Sequence, residues 1–96
     1  MGAGIHKAIQ LHADDNVVVC IQALQPREEI LISGNIAIVT APVGIGHKLA
    51  CRYIRRGETI IKYGVPIGTA TEDICIGAHV HTHNIRSNYI ETYLIQ

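Results

Sequence analysis

Glu29-Ile30-Leu31-Ile32-Ser33-Gly34-Asn35-Ile36-Ala37-Ile38-Val39 decides the fold class of this 96-residue chain. Two short runs of aliphatic residues flank Ser33-Gly34-Asn35, a triplet that turns readily. Branched side chains are stiff at χ1 and pack well on a pleated surface, so each run reads as a strand and the pair as a hairpin. The composition repeats this message. Hydrophobic residues make up 48% of the chain but aromatics only 4%, and nine glycines supply tight turns. A mainly β protein is expected.

Working outward, the upstream segment Val17-Val18-Val19-Cys20-Ile21 is apolar without alternation, as in a strand buried on both faces. Ala8-Ile9-Gln10-Leu11-His12 reads as a shorter strand, with Ala13-Asp14-Asp15-Asn16 as the turn between them. Downstream, Ala41-Pro42-Val43-Gly44-Ile45-Gly46 is a loop and His47-Lys48-Leu49-Ala50-Cys51-Arg52 is extended again. Glu58-Thr59-Ile60-Ile61-Lys62-Tyr63 is a further strand turned by Gly64-Val65-Pro66, followed by the short Ile67-Gly68-Thr69-Ala70. Thr71-Glu72-Asp73-Ile74 is expected to form one helical turn. No window carries apolar residues at i, i+3, i+4 and i+7 over several turns, so no amphipathic helix is expected. Ile54-Arg55-Arg56-Gly57-Glu58-Thr59-Ile60 and Ile74-Cys75-Ile76-Gly77-Ala78-His79-Val80 share one form, Ile-x-x-Gly-x-x-aliphatic. Each reads as an aliphatic anchor before a glycine corner that launches a strand, too short to count as a repeat architecture.

Composition also narrows function. The length fits one domain with one modest core. Net charge is zero, and only Arg52, Arg55 and Arg56 cluster, with no aromatic platform beside them, which argues against a nucleic-acid interface. Cys20, Cys51 and Cys75 are widely spaced, and no C-x-x-C occurs. They read as reduced, buried thiols of a cytoplasmic protein. The start of the chain has no signal-peptide pattern, and no apolar run has the length of a membrane span. No P-loop, dinucleotide fingerprint or nucleophile elbow is present.

The chemistry concentrates in Gly77-Ala78-His79-Val80-His81-Thr82-His83-Asn84. On an extended strand, histidines at every second position stand on one face. Imidazole is the commonest protein metal ligand and titrates near neutral pH. At about 3.3 Å per residue, His79 and His83 would lie ~13 Å apart on a straight strand, too far for one ion. At most two of the three are therefore expected to bind a metal directly, leaving the third for proton transfer or substrate contact. His47, after Gly44-x-Gly46, is the best further donor in the chain.

Asp15-Asn16-Val17, Gly46-His47-Lys48, Ile61-Lys62-Tyr63-Gly64-x-Pro66-Ile67-Gly68 and Gly77-x-His79-Val80-His81-x-His83-Asn84 together carry a resemblance. The chain resembles the small N-terminal domain of the altronate and galactarate dehydratase family, a SAF-type domain. The resemblance implies a β-clip fold of short strands and tight Gly/Pro turns over residues 1–85. Residues 86–96 would then form a C-terminal tail that can dock on a partner. It implies a small subunit of a hydro-lyase that removes water from a sugar acid to give a 2-keto-3-deoxy acid and needs a large catalytic subunit. A homo-oligomer is compatible with this. The similar small subunit of sulfolactate sulfo-lyase implies an alternative substrate, and a free module that binds metal or small acids without turnover is a third reading. The implied cofactor is a divalent ion, Fe2+ or Mn2+, and the implied substrate is a small hydroxy-carboxylate. His79 and His81 would hold the metal. His81, His83, His47 and Lys48 would serve the chemistry, and Asp15, Asn16 and Asn84 would contact substrate.

Overall fold

A computed structural model describes residues 7–87. Among the described residues nine strands follow one another: β1 Ala8–Ile9, β2 Val17–Cys20, β3 Glu29–Ile32, β4 Asn35–Ile38, β5 Lys48–Ala50, β6 Thr59–Lys62, β7 Val65–Ala70, β8 His79–Val80 and β9 Ile85–Ser87. The described residues contain no helix, and all pairings are antiparallel. The mainly β, SAF-like expectation holds.

Three sheets form three layers. The central sheet has the order β1-β2-β5-β8, and a β3-β4 hairpin and a β6-β7-β9 sheet flank it. Val17 and Val18 project to opposite faces of β2. Val18 joins a cluster with Leu24, Ile30, Ile32, Val43 and Leu49. Val17 joins a second cluster with Ala50, Ile54, Ile60, Ile74 and Val80. This explains the non-alternating apolar run at Val17–Cys20: β2 is buried on both faces.

The corner seen twice in the sequence occurs four times. Leu24, Val43, Ile54 and Ile74 are each buried anchors. Three residues after each comes a left-handed backbone, at Arg27 (φ 75°), Gly46 (86°), Gly57 (90°) and Gly77 (84°). Six residues after each comes a buried aliphatic, Ile30, Leu49, Ile60 or Val80. The corners pair through isolated bridges, Leu24 with Val43 and Ile54 with Ile74. Each fully buried aliphatic of this kind contributes about 1.5–3 kcal/mol, against about 1 kcal/mol for a typical backbone hydrogen bond, so the anchors dominate the frame. The described residues thus contain two similar units, each made of two corners and a hairpin, packed on opposite faces of the central sheet.

Several local expectations are corrected. The first hairpin turns on two residues, Ser33 (φ 50°) and Gly34 (φ 82°), and Asn35 already belongs to β4. Two left-handed residues match the twist of the flanking strands, so the shorter turn is favoured. The second hairpin turns at Tyr63-Gly64, not at Gly64-Val65-Pro66, and β7 runs through Pro66. Proline fits there because β9 pairs with β7 only from Gly68 onward and the β6–β7 register shifts between Ile60 and Ile61. Thr71–Ile74 is a bend ending in the Ile54 bridge, not a helical turn, because Ile74 is used as a corner anchor. β1 stops at Ile9. Cys20 and Cys51 are buried thiols, but Cys75 is exposed. No helix of the described residues is long and apolar enough to cross a membrane.

β9 extends to Ser87, past residue 85, and pairs with β7. β7 approaches β9 so closely at Gly68 that an added Cβ would lie 2.7 Å from the Arg86 carbonyl oxygen. The rest of the expected tail, 88–96, lies outside the described residues.

Candidate metal and acid–base site

β5 and β8 build the site. They pair antiparallel with Leu49 opposite His79 and Lys48 opposite Val80. One step further in this register sets His47 across from His81. Alternation puts His47, Leu49, His79 and His81 on one face, so two strands deliver three imidazoles to one place.

The rings meet closely. His47 Nδ1 lies 3.0 Å from His79 Nε2, in a hydrogen bond whose donor depends on the tautomer. Ring centroids of His47 are 5.1 Å from His79 and 5.4 Å from His81, and the His79 and His81 rings stack at 5.5 Å. One ligand nitrogen from each of the three lies within 4.8 Å of the others. Four-coordinate imidazoles with metal–nitrogen bonds of about 2.0–2.1 Å have nitrogens ~3.3 Å apart, so the trio is a group that could hold one ion after small side-chain rotations. His47 and His79 are half-buried, while His81 is exposed.

The straight histidine strand expected from sequence is corrected. β8 ends at Val80, and the chain turns through 81–84. The Asn84 and Ile85 N–H groups both donate to the His81 carbonyl, each at 3.0 Å. The turn carries His83 back, so that its ring centroid is 5.6 Å from that of His79. Asn84 sets this geometry. Its Oδ1 accepts from the His81 N–H at 2.9 Å and its Nδ2 donates to the His79 carbonyl at 2.8 Å. Gly77 opens the corner before His79, and an added Cβ there would sit 2.9 Å from Ala37 Cβ of the first hairpin.

Burial favours the neutral form of His79, and the positive charge that His47, His81, His83 and Lys48 can carry adds to the effect, so its pKa lies below the ordinary value. A neutral imidazole keeps the lone pair that a metal needs. Lys48 leaves β5 on the face opposite to His47, in register with Val19 and Val80. Burial, then repulsion from Lys62, lowers its pKa.

Asp15 and Asn16 serve the second hairpin. Asp15 Oδ2 and Oδ1 accept from the Tyr63 and Gly64 N–H groups, each at 2.8 Å. Asn16 Nδ2 donates to the Thr59 carbonyl and its Oδ1 accepts from the Ile61 N–H, each at 2.8 Å. The side-chain acceptors of Asp15, Asn16 and Asn84 are thus engaged by backbone. The structure brings together His47, His79, His81 and His83, but not Lys48, whose stem lies on the other face. Sequence spacing missed the β5–β8 register that aligns His47 with His81. The glycine corners before both strands were the available signal.

A family model for the altronate/galactarate dehydratase SAF domain matches residues 6–88. The altronate dehydratase of Bacillus subtilis (strain 168) is 37% identical over 86 residues, covering 90% of this chain and 17% of that protein. The altronate dehydratase of Escherichia coli (strain K12) is 42% identical over 80 residues, covering 83% of this chain and 16% of the relative. The (2R)-sulfolactate sulfo-lyase subunit alpha of Chromohalobacter salexigens is 49% identical over 45 residues, 47% of this chain and 48% of that subunit. The chain therefore spans less than a fifth of the altronate dehydratases it matches and belongs to the SAF domain family of altronate and galactarate dehydratases.

Proposed function

We propose that this chain is the small subunit of a hydro-lyase that dehydrates a sugar acid and works only with a larger catalytic chain. The observation that carries this reading is the convergence of His47, His79 and His81 in a domain of the dehydratase family. The donor set is all imidazole, which suits Fe2+ better than Mn2+, since affinity rises from manganese to iron and manganese favours oxygen ligands. When bound, such an ion supplies Lewis acidity for a carboxylate substrate.

The chain's own residues then divide the remaining work. His47 and His79 are half-buried and hold fixed positions, and exposed His81 completes the trio at its solvent side. Exposed His83 is the group placed to pass a proton between substrate and water. Asn84 positions both by fixing the turn. Asp15 and Asn16 position the second hairpin, and Lys48 contributes charge rather than contact.

The larger chain has a surface to dock on. β4 is an outer strand whose far edge has no partner among the described residues. Its Ile36 and Ile38 are 55% and 59% exposed, an apolar pair of the kind that marks an interface. Relatives in which this domain is a small part of a long chain support the need for a larger partner. A second reading replaces the sugar acid by sulfolactate, whose C–S bond breaks to release bisulfite in place of water. The similarity to a sulfo-lyase subunit alpha favours it.

Co-expression with a dehydratase-type large chain, followed by assays on sugar acids and on sulfolactate, tests both readings. His81→Ala should cut turnover of the complex at least 100-fold while the variant chain keeps its circular dichroism and still co-purifies. Undiminished turnover would remove His81 from the site.

A further inference from the structure

We propose that the concavity between Arg56 and Arg86 binds a small oxyanion, a molecule bearing carboxylate or phosphate. Arg56, Gly57, Thr69, Ala70, Thr71 and Arg86 line a cavity of about 210 Å³. It shares no residue with the histidine cluster. Its size falls below the roughly 300–1,000 Å³ typical of sites for drug-sized molecules, so it suits a small ion or acid.

Three features of the fold build it. Thr69 on β7 lies directly opposite Arg86 on β9, so their side chains are neighbours on one face of the sheet. The corner holding Arg56 is tied to the same strand, because the Gly57 N–H donates to the Ala70 carbonyl at 2.9 Å. Gly57 leaves the rim clear, since an added Cβ would find nothing within 4 Å.

The electrostatics are one-sided. Among the described residues no carboxylate lines the cavity and neither guanidinium has an ion pair. The acid beside this corner, Asp73, accepts the Arg56 backbone N–H at 2.8 Å. That bond, ahead of a contact with Tyr53 and the charges of Arg55 and Arg56, holds its carboxyl below the ordinary range. Two guanidiniums offer forked donors that match the planar carboxylate or the phosphate edge, where a lysine would offer only a point charge.

The other half of the molecule shows that the corner alone does not create such a site. There Arg27 donates its N–H to the Val39 carbonyl at 2.7 Å, the counterpart of the Gly57–Ala70 bond. Pro26 stands where Arg56 does, Arg27 where Gly57 does, and Ile38 where Thr69 does. No strand equivalent to β9 lies beside β4 among the described residues. The second half thus has Arg56, an open rim at Gly57 and Thr69 where the first has a proline, a side chain and an isoleucine, and among the described residues the first has no counterpart of Arg86.

The test is a titration of the 15N-labelled full chain, followed by amide shifts at constant ionic strength. Inorganic phosphate and tartrate are added separately, with chloride as the control. Saturable shifts centred on Gly57, Thr69 to Thr71 and Arg86 are expected for at least one of them, and the stronger response tells phosphate from carboxylate recognition. Arg56→Ala and Arg86→Ala should each weaken binding at least tenfold, with Arg56→Lys intermediate and remote resonances unmoved. Non-saturating shifts spread over all basic residues, or unchanged affinity in both alanine variants, would overturn the proposal.

Discussion

The two halves of this molecule share a frame and differ in how it is finished. Leu24, Arg27, Glu28 and Ile30 recur 30 residues later as Ile54, Gly57, Glu58 and Ile60. Even the carboxylates act alike, since Glu28 accepts the Gln25 N–H and Glu58 accepts the Arg55 N–H. The finish is unequal. The second hairpin is clamped by Asp15 and Asn16 from below and covered by β9 at its edge. The first hairpin has neither among the described residues, and it exposes Ile36 and Ile38. A frame used twice can therefore be clamped and edge-covered in one half and, among the described residues, left uncovered at its edge in the other.

Removing the clamp should break this inequality. Asn16 is fully buried, and its amide satisfies two backbone groups of β6. Asn16→Ala leaves an N–H and a carbonyl without partners, each costing about 1–3 kcal/mol, so a loss of about 3 kcal/mol is expected by chemical denaturation. Hydrogen exchange should quicken in β6 and β7 far more than in β3 and β4. Equal quickening in both hairpins would mean that the clamp stabilises the whole molecule rather than one half.

Acid separates the halves through Asp15. Burial pushes this carboxyl upward, but the N–H groups of Gly64, Tyr63 and His12 outweigh it and hold the pKa below its ordinary 3.8. The folded state therefore binds this proton less readily than the unfolded chain. Its stabilising contribution is full above the ordinary value and is lost as pH falls from about 4 through the lowered pKa. Asp15→Asn should be less stable at neutral pH and lose less stability on acidification. Glu28 and Glu58 also lie below their ordinary values, Glu28 through Lys7 and Glu58 through Arg52 first, so the acid limb should flatten only in part. An acid limb identical to that of the parent would assign the acid sensitivity to Glu28, Glu58 and Asp73, whose carboxyls also lie below their ordinary values.

Strands β1 to β7 were legible in the sequence because aliphatic runs between turn residues leave little choice of element, whereas β9 begins where the sequence suggested a tail. Burial of β2 on both faces was legible for the same reason. The duplication was visible only in its second half. Arg27 occupies a left-handed position that is glycine in the other three corners, which hid the first copy. The histidine site was half legible. Its residues, His47 included, stand out by type, but their convergence depends on the β5–β8 register and on a turn after Val80, neither of which a period-two pattern contains. Asp15, Asn16 and Asn84 looked like polar groups available to a ligand. Distant backbone of the second hairpin claims the acceptors of Asp15 and Asn16, which local sequence does not reveal, and Asn84 accepts from its own turn at the His81 N–H.

The smallest expected effect is the sharpest probe of the duplication, because one position carries opposite residues in the two halves. Arg27 holds φ 75° and Gly57 holds φ 90°. A left-handed backbone costs a non-glycine residue roughly 1–2 kcal/mol, and glycine returns part of that gain through the entropy of the unfolded chain. Arg27→Gly should thus stabilise by about 0.5 kcal/mol, while Gly57→Ala, with open space around the new methyl, should destabilise by about 1 kcal/mol through backbone strain alone. Thermal and denaturant unfolding of the two variants measures the pair. Opposite signs would establish that both corners obey the same backbone requirement. If Arg27→Gly destabilised the chain, the arginine side chain would have to be contributing contacts that outweigh its strain, and the first corner would not be a plain copy of the second.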